Sequence, residues 1–245
     1  MLLLLVCACV AAVTPAAAEA NRLTAPSPPT FIEAGFENGL SGWSIAGVGE
    51  VVPTIVHDIV RSGNSAARVA LTGTENRSEL ILAQDGTIAE FPPGTERWYG
   101  FSFYIRTMVW GHPGAHNLIM QLKSENEGSP RLSLGLWNYQ GNRGLWTEGS
   151  AMGNHDRFLA PLAEHRWYDV VVHFDVTTGG DGFYQIYLDG SLIDSRRNIT
   201  VLRRGAHLAY IKTGLYRNGA EIPGLSEIRL DSAALGTSLE EVTPR

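Results

Sequence analysis

Hydrophobic and polar positions alternate in short runs along almost the whole chain after residue 30. The run "RWYGFSFYIR" places Trp98, Gly100, Ser102 and Tyr104 on one side and Tyr99, Phe101, Phe103 and Ile105 on the other. "SAARVAL", "RSELIL", "NLIMQLKS", "RLSLGLWN", "RWYDVVVHFDV", "FYQIYLDGSLID", "YIKTGLYR" and "SEIRLDSAAL" continue the series. A period of two marks strands, because successive side chains leave a strand on opposite faces. Gly, Pro, Asn or Asp bounds each run, as turns require. "LDGS" predicts an Asp-Gly hairpin joining residues 185–188 to Leu192-Ile193. A helical period of 3.6 is nowhere sustained; the best helix candidate is a short piece in "HDRFLAPLAEH", residues 155–165. Many strands at short spacing without helices predict an all-β fold, a two-sheet antiparallel β-sandwich of roughly a dozen strands.

Three of these strands carry an unusual second face. In "NRSELIL" Arg77 and Glu79 share a side, opposite Ser78 and Leu80. In "NLIMQLKS" the alternation groups Asn117, Ile119, Gln121 and Lys123, opposite Leu118, Met120 and Leu122. In "YIKTGLYR" it groups Tyr210, Lys212, Gly214 and Tyr216, opposite Ile211, Thr213 and Leu215. Any sheet with one wet face alternates in this way. Gly214 adds something, since glycine inside a strand often marks the close approach of a ligand or another backbone. Long polar side chains bracket that gap, as they would around a sugar.

The N-terminus, "MLLLLVCACVAAVTPAAAEA", has an apolar run and then small residues with an A-x-A-like site, which reads as a secretory signal peptide over residues 1–20. A Pro-rich lead-in follows over 21–30, and residues 31–245 are expected to form the folded domain. The expected location is secreted or periplasmic, with no membrane association. Both cysteines, Cys7 and Cys9, lie in the leader, so the remainder of the chain has no thiol for a disulfide or a metal. The formal net charge of −6 argues against nucleic acid as a partner. An anionic ligand then has to be drawn by a local cluster of cations.

"RSEL", "QLK" and "YIKTGLY" together resemble the three signature strands of β-jelly-roll polysaccharide lyases. Alginate lyases of that fold have R-x-E-L, Q-x-H and Y-x-K-x-G-x-Y strands; the heparin lyase I-like and glucuronan lyase group shares K-x-G-x-Y, here Lys212, Gly214 and Tyr216. "GFENGLSGW", "IVRSGNSAARVAL" and "RWYDVVVHFDV" also resemble the second group, so the likeness covers most of the chain in the right order. It implies a concanavalin-like β-jelly roll that cleaves uronic-acid polysaccharides by β-elimination. Fixed donors must first neutralise the uronate carboxylate, and a base must take the C5 proton while an acid protonates the departing O4. The resemblance assigns neutralisation to Arg77 and Gln121 and the acid to Tyr216, which in some members is also the base. Lys212 would meet the substrate carboxylate or a glycosidic oxygen, with Arg77 nearer the phenol and Glu79 orienting Arg77 or Lys212 as an ion pair. Asn117, Tyr210 and Gly214 complete the substrate-binding set with Glu79.

The pattern departs from the alginate lyases at Lys123, which stands where the usual histidine would be. The base is therefore open between Tyr216, Lys123 and another histidine, of which His116 in "GHPGAHN" is the candidate, on a loop before the Gln121 strand. Lys123 can equally serve as a further carboxylate clamp. The mechanism implies no cofactor and no catalytic metal, with a structural calcium on loop oxygens left open. The implied partner is an anionic polysaccharide substrate, and the protein is expected to be a monomer. A non-catalytic carbohydrate-binding module on the same sandwich is the alternative, since the fold class hosts both.

Overall fold

The computed structural model describes residues 28–245, except 48–49, 127 and 150–155. The expected signal peptide and most of the Pro-rich lead-in lie outside the described residues. The strands begin with β1 (Ile32–Glu33), β2 (Trp43–Ile45), β3 (Thr54–Val56), β4 (Ala66–Leu71), β5 (Arg77–Gln84) and β6 (Thr87–Ile88). Next come β7 (Glu90–Phe91), β8 (Thr95–Thr107), β9 (Asn117–Ser124), β10 (Leu132–Tyr139), β11 (Asn142–Glu148) and β12 (Arg157–Pro161). The last are β13 (Trp167–Val176), β14 (Gly182–Leu188), β15 (Ser191–Ile199), β16 (Ala209–Arg217) and β17 (Ser226–Gly236), followed by the short helix α1 (Leu239–Val242).

They form an all-β, two-sheet antiparallel sandwich. One sheet runs β15-β14-β13-β8-β17-β4-β3, with β1 on β17. The other runs β12-β11-β10-β9-β16-β5-β2, with β6 on β5 and β7 on β16. Between the sheets, Tyr99, Phe101, Phe103 and Ile105 of β8 meet the apolar faces of β5, β9, β10 and β16. Each such side chain contributes about 1.5–3 kcal/mol through burial. One polar contact crosses this core: the Tyr99 hydroxyl and the Thr213 hydroxyl are hydrogen-bonded at 2.7 Å. Burial pushes the Tyr99 phenol far above its usual range.

The Asp-Gly hairpin forms as expected, with φ of 48° at Asp189 and 78° at Gly190 and Leu188 opposite Ser191. Two positive φ angles match the twist of the flanking strands. The helix expected within 155–165 is instead strand β12, and His155 lies outside the described residues. "RFLAP" has only one turn's worth of apolar residues, and β11 offers it an open edge to pair with. The helix that does form is α1, capped at Ser238, whose side chain accepts from Glu241 N while Glu241 reaches back.

Gly214 shows how closely β5 and β16 are drawn together. It pairs with Glu79 and has φ +150°, and a Cβ there would lie 2.3 Å from Ser78 O and 2.7 Å from Glu79 Cα. The glycine admits the neighbouring strand, not a sugar ring, which corrects its reading as a substrate-binding residue. Replacing it with alanine is expected to destabilise the protein by about 1–3 kcal/mol, from strained backbone and collision. Thermal denaturation of Gly214→Ala checks this; an unchanged melting temperature would contradict the packing account.

Candidate active site

On the outer face of the second sheet, β5, β16, β9, β10 and β11 carry polar residues in register. Lys212 stands opposite Gln121, Gln121 opposite Ser133, and Ser133 opposite Glu148. One strand pair away, Tyr216 stands opposite Arg77. Above this floor is a cleft with a cavity volume of ≈ 390 Å³, lined by Arg77, His116, Gln121, Lys123, Glu148 and Tyr216, among others. A second cavity of ≈ 450 Å³ touches Arg77, His116 and Tyr216 from the other side, with Glu50 and Asn218. Arg77, His116 and Tyr216 therefore line both cavities.

The floor is organised around Glu79, whose residue is only 1% exposed. Its Oε2 lies 3.3 Å from Arg77 Nε and 3.6 Å from Lys212 Nζ. Its Oε1 accepts a short hydrogen bond from the Gln121 amide. Burial pushes this carboxyl up, against the pull of Lys212, Gln121 and Arg77. The ion-pair role expected for Glu79 is present with both cations at once. Glu79 is covered, so it serves as a positioning group beneath the cleft and its side chain is not a surface for sugar.

Arg77 is held at both ends. Nη1 reaches Glu50 Oε1 at 3.3 Å, and the guanidinium carbon lies 4.0 Å from the centre of the Tyr216 ring. Burial lowers the affinity of Arg77 for its proton, but Glu79, Tyr216 and Glu50 more than offset this, so it remains cationic. The expected closeness of Arg77 to the phenol is what the geometry has. Glu50 was not singled out in the sequence; it lies outside any alternating strand, and nothing local distinguishes it.

Lys212 is 5% exposed and is absent from the residues that line either cavity. It neutralises Glu79 from beneath the cleft. Tyr210, half-buried on the same face, also lies off the cleft lining. Burial and the Glu79 charge push its phenol up.

β9 departs from simple alternation. Ile119 and Met120 both enter the core, and the pairing with β10 shifts at Leu134/Gly135. Leu118, Gln121 and Lys123 consequently reach the cleft, while Asn117 does not share their face. Asn117 is 0% exposed; its Nδ2 donates to Val109 O at 2.7 Å and contacts the Met108 sulfur. A one-residue bulge turns every side chain beyond it over, which a strict period of two does not reveal. Asn117 thus anchors the segment that carries His116, a correction to its place among the substrate-binding residues.

His116 packs against Tyr216, ring centres 4.5 Å apart. Its buried Nε2 has no hydrogen-bond partner among the described residues. Burial, then the Arg77 charge, lowers its pKa, so the imidazole is neutral at neutral pH. Lys123 donates from Nζ to Gly128 O at 2.8 Å. Burial, then Lys212 and Arg77, lowers its pKa. The wall across from these cations was missed in the sequence: Glu148 and Asp156 both line the cleft. "TEG" at the end of β11 reads as an ordinary strand end, and only the sheet order brings it opposite Ser133, in one row with Gln121.

Other histidine and tryptophan side chains lie away from the cleft. His173 is a sheet histidine of the other sheet, stacked on Trp98 at 3.7 Å. Trp137 and Trp146 stack with each other at 5.5 Å and are buried. Among the described residues no group of three or more His, Cys, Asp or Glu is placed to hold a metal ion. No helix among them is long and apolar enough to cross a membrane.

Residues 39–234 match a family model described as polysaccharide lyase. The fold superimposes on an endo-β-1,4-glucuronan lyase from the fungus Trichoderma reesei with a TM-score of 0.69 and 20% identity, covering 89% of this chain and 99% of that one. It also superimposes on alginate lyase Aly36B (TM-score 0.57, 12% identity, 86% of this chain and 98% of that one). A third match is the marine alginate lyase AlyA1 from Zobellia galactanivorans (TM-score 0.54, 11% identity, 80% and 94% covered). No curated protein sequence matches.

The Glu79 cluster yields a stability prediction. Removing one member of a buried ion pair typically costs about 3–5 kcal/mol, because the other charge is stranded. Glu79→Gln should lower unfolding free energy by about 3 kcal/mol in urea denaturation. The double variant Glu79→Gln/Lys212→Met should lose less than the sum of the two single changes; strict additivity would show the two groups to be uncoupled.

Proposed function

The chain belongs to the polysaccharide lyase family, and from that premise we propose that it is an exported lyase cleaving a uronate-containing polysaccharide by β-elimination. The observation that carries this reading is the meeting of Arg77, Gln121, His116, Lys123 and Tyr216 around one cleft. The glucuronan and alginate lyases that share the fold act, by their names, on polyuronates. The leader-like residues 1–20 support export.

The roles follow from chemistry and placement. A charged carboxylate makes the neighbouring C5 proton very weakly acidic. Arg77, the remaining amide hydrogen of Gln121 and the Lys123 ammonium are fixed donors that offset that charge as it spreads onto the carboxyl oxygens. They are preorganised by protein contacts, so little reorganisation is needed during reaction. His116, neutral and packed against Tyr216 at the cleft, takes the C5 proton. Lys123 is the weaker base candidate, since its ammonium is already occupied as a donor. Tyr216, 4.0 Å beneath the Arg77 guanidinium, gives its proton to O4 as the C4–O4 bond breaks. The electron pair of the C5–H bond becomes the new C4–C5 double bond. Tyr216 is afterwards reprotonated from water, and His116 releases its proton.

Two measurements test this. Tyr216→Phe should reduce kcat on a susceptible polyuronate by about 10²–10⁴-fold while leaving substrate binding and thermal stability near wild type. Loss of binding together with rate would instead make Tyr216 a structural residue. The pH profile has a defined sign. A base whose pKa is lowered is in its working, neutral form until the pH drops through that lowered value. The acid limb of kcat/KM should therefore lie below the ordinary histidine value of about 6.5, and His116→Gln should remove that limb along with most of the rate. Persistence of an unchanged acid limb in His116→Gln would assign the base elsewhere.

A further inference from the structure

The mechanism above leaves Glu148 without a role, although it lines the same cleft as Arg77 and Tyr216. It stands at the end of the cross-strand row Lys212, Gln121, Ser133, Glu148. That puts its backbone two strand spacings from Gln121, about 10 Å, on the β11 side of the cleft. Ser133 Oγ lies 3.4 Å from its Oε1. Asp156, at the entry to β12, lines the cleft beside it. Across the cleft stand Lys123 of β9, Arg77 of β5, Tyr216 of β16 and His116. No ion pair to Glu148 occurs among the described residues; the cations of the site are engaged with Glu79, Glu50 and Gly128 O.

The cleft is thus cationic in its half over β5, β16 and β9, and carries the Glu148 carboxyl in its half over β11. A polymer with a carboxylate on every unit fits the first half and not the second. We infer that Glu148 is a specificity residue for this reaction: it accepts hydroxyl groups of an uncharged sugar unit on the β11 side of the cleft and rejects a carboxylate there. Specificity commonly comes from such a repulsive element placed against the wrong partner. Like charges brought together out of bulk water are strongly unfavourable.

The filter depends on pH with a fixed sign. Burial and the Asp156 charge push the Glu148 carboxyl up to about 7. Below that pH it is protonated and donates; above it, the carboxylate repels. This inference rests on the lyase reading above, and its test separates the two.

Initial rates of unsaturated product formation are compared on glucuronan, in which every unit is a uronate, and on unsulfated hyaluronan and heparosan, in which uronate alternates with an uncharged sugar. Wild type, Glu148→Gln and Asp156→Asn are each assayed at about pH 6 and pH 8, either side of the Glu148 value. In wild type, the preference in kcat/KM for an alternating polymer over glucuronan should rise several-fold from the lower to the higher pH. Glu148→Gln should remove that rise and improve glucuronan cleavage at the higher pH about tenfold, chiefly through KM. Asp156→Asn should shift the onset of the rise to lower pH, because one of the causes of the raised carboxyl is gone. If the preference and its pH dependence are the same in wild type and both variants, the inference is overturned while the lyase stands. If wild type forms no unsaturated product from any polymer, the lyase reading itself falls, and this one with it.

Discussion

The buried carboxylate of Glu79 is the contact on which the site depends. It binds donors from three chain segments: Arg77 on its own strand, Gln121 on β9 and Lys212 on β16. A carboxylate so deeply covered is unfavourable unless it is paired and hydrogen-bonded. The same requirement works in reverse, because the Lys212 ammonium has no other counter-charge within reach among the described ion pairs. The two charges hold each other, and in doing so they fix the spacing of the strands on which Arg77, Gln121 and Tyr216 stand. Gly214 belongs to this arrangement, since only a residue without a Cβ lets Glu79 approach β16 so closely.

Electrostatic attraction in this protein is local. The chain as a whole carries a formal charge of −6, which repels a polyanion at long range. Within the cleft, Arg77 and Lys123 present positive charge from low-dielectric walls, where screening by salt is weaker than at an open surface. His116 shares that environment, and burial beside a guanidinium keeps it uncharged. Two groups that are commonly cationic thus take different states within one pocket, the Arg77 guanidinium charged and the His116 imidazole neutral.

The fold was largely legible in the alternation of apolar residues. β5 and β16 keep a strict period of two, so the pairing of Arg77 with Glu79 and of Lys212 with Tyr216 could be read directly. β9 could not, because a bulge leaves Ile119 and Met120 both facing the core, and Asn117 was assigned to the wrong face as a result. Gly214 was recognised as a place of close approach, but the sequence does not say whether a ligand or a strand approaches. The face that carries Lys212 was readable and its depth, 5% exposed, was not. Glu50 and Glu148 lay outside reach altogether. Each gains its meaning from residues far along the chain, brought beside it by the order of strands in the sheet. The short helix α1 was missed although "SLEE" carries its capping signal, since four residues are too few to show a period.

The floor residues Glu79, Gln121 and Lys212 stand on strand interiors, whereas the ends of the cleft are closed by connections such as 128–130 and the approach to β12. Strand positions are tied into ladders on both sides and tolerate little change; connecting segments are not. Relatives of this chain can therefore diversify in which glycan they accept by exchanging rim segments while inheriting the reaction unaltered. A shared chemistry among such proteins then gives little guidance to a shared diet.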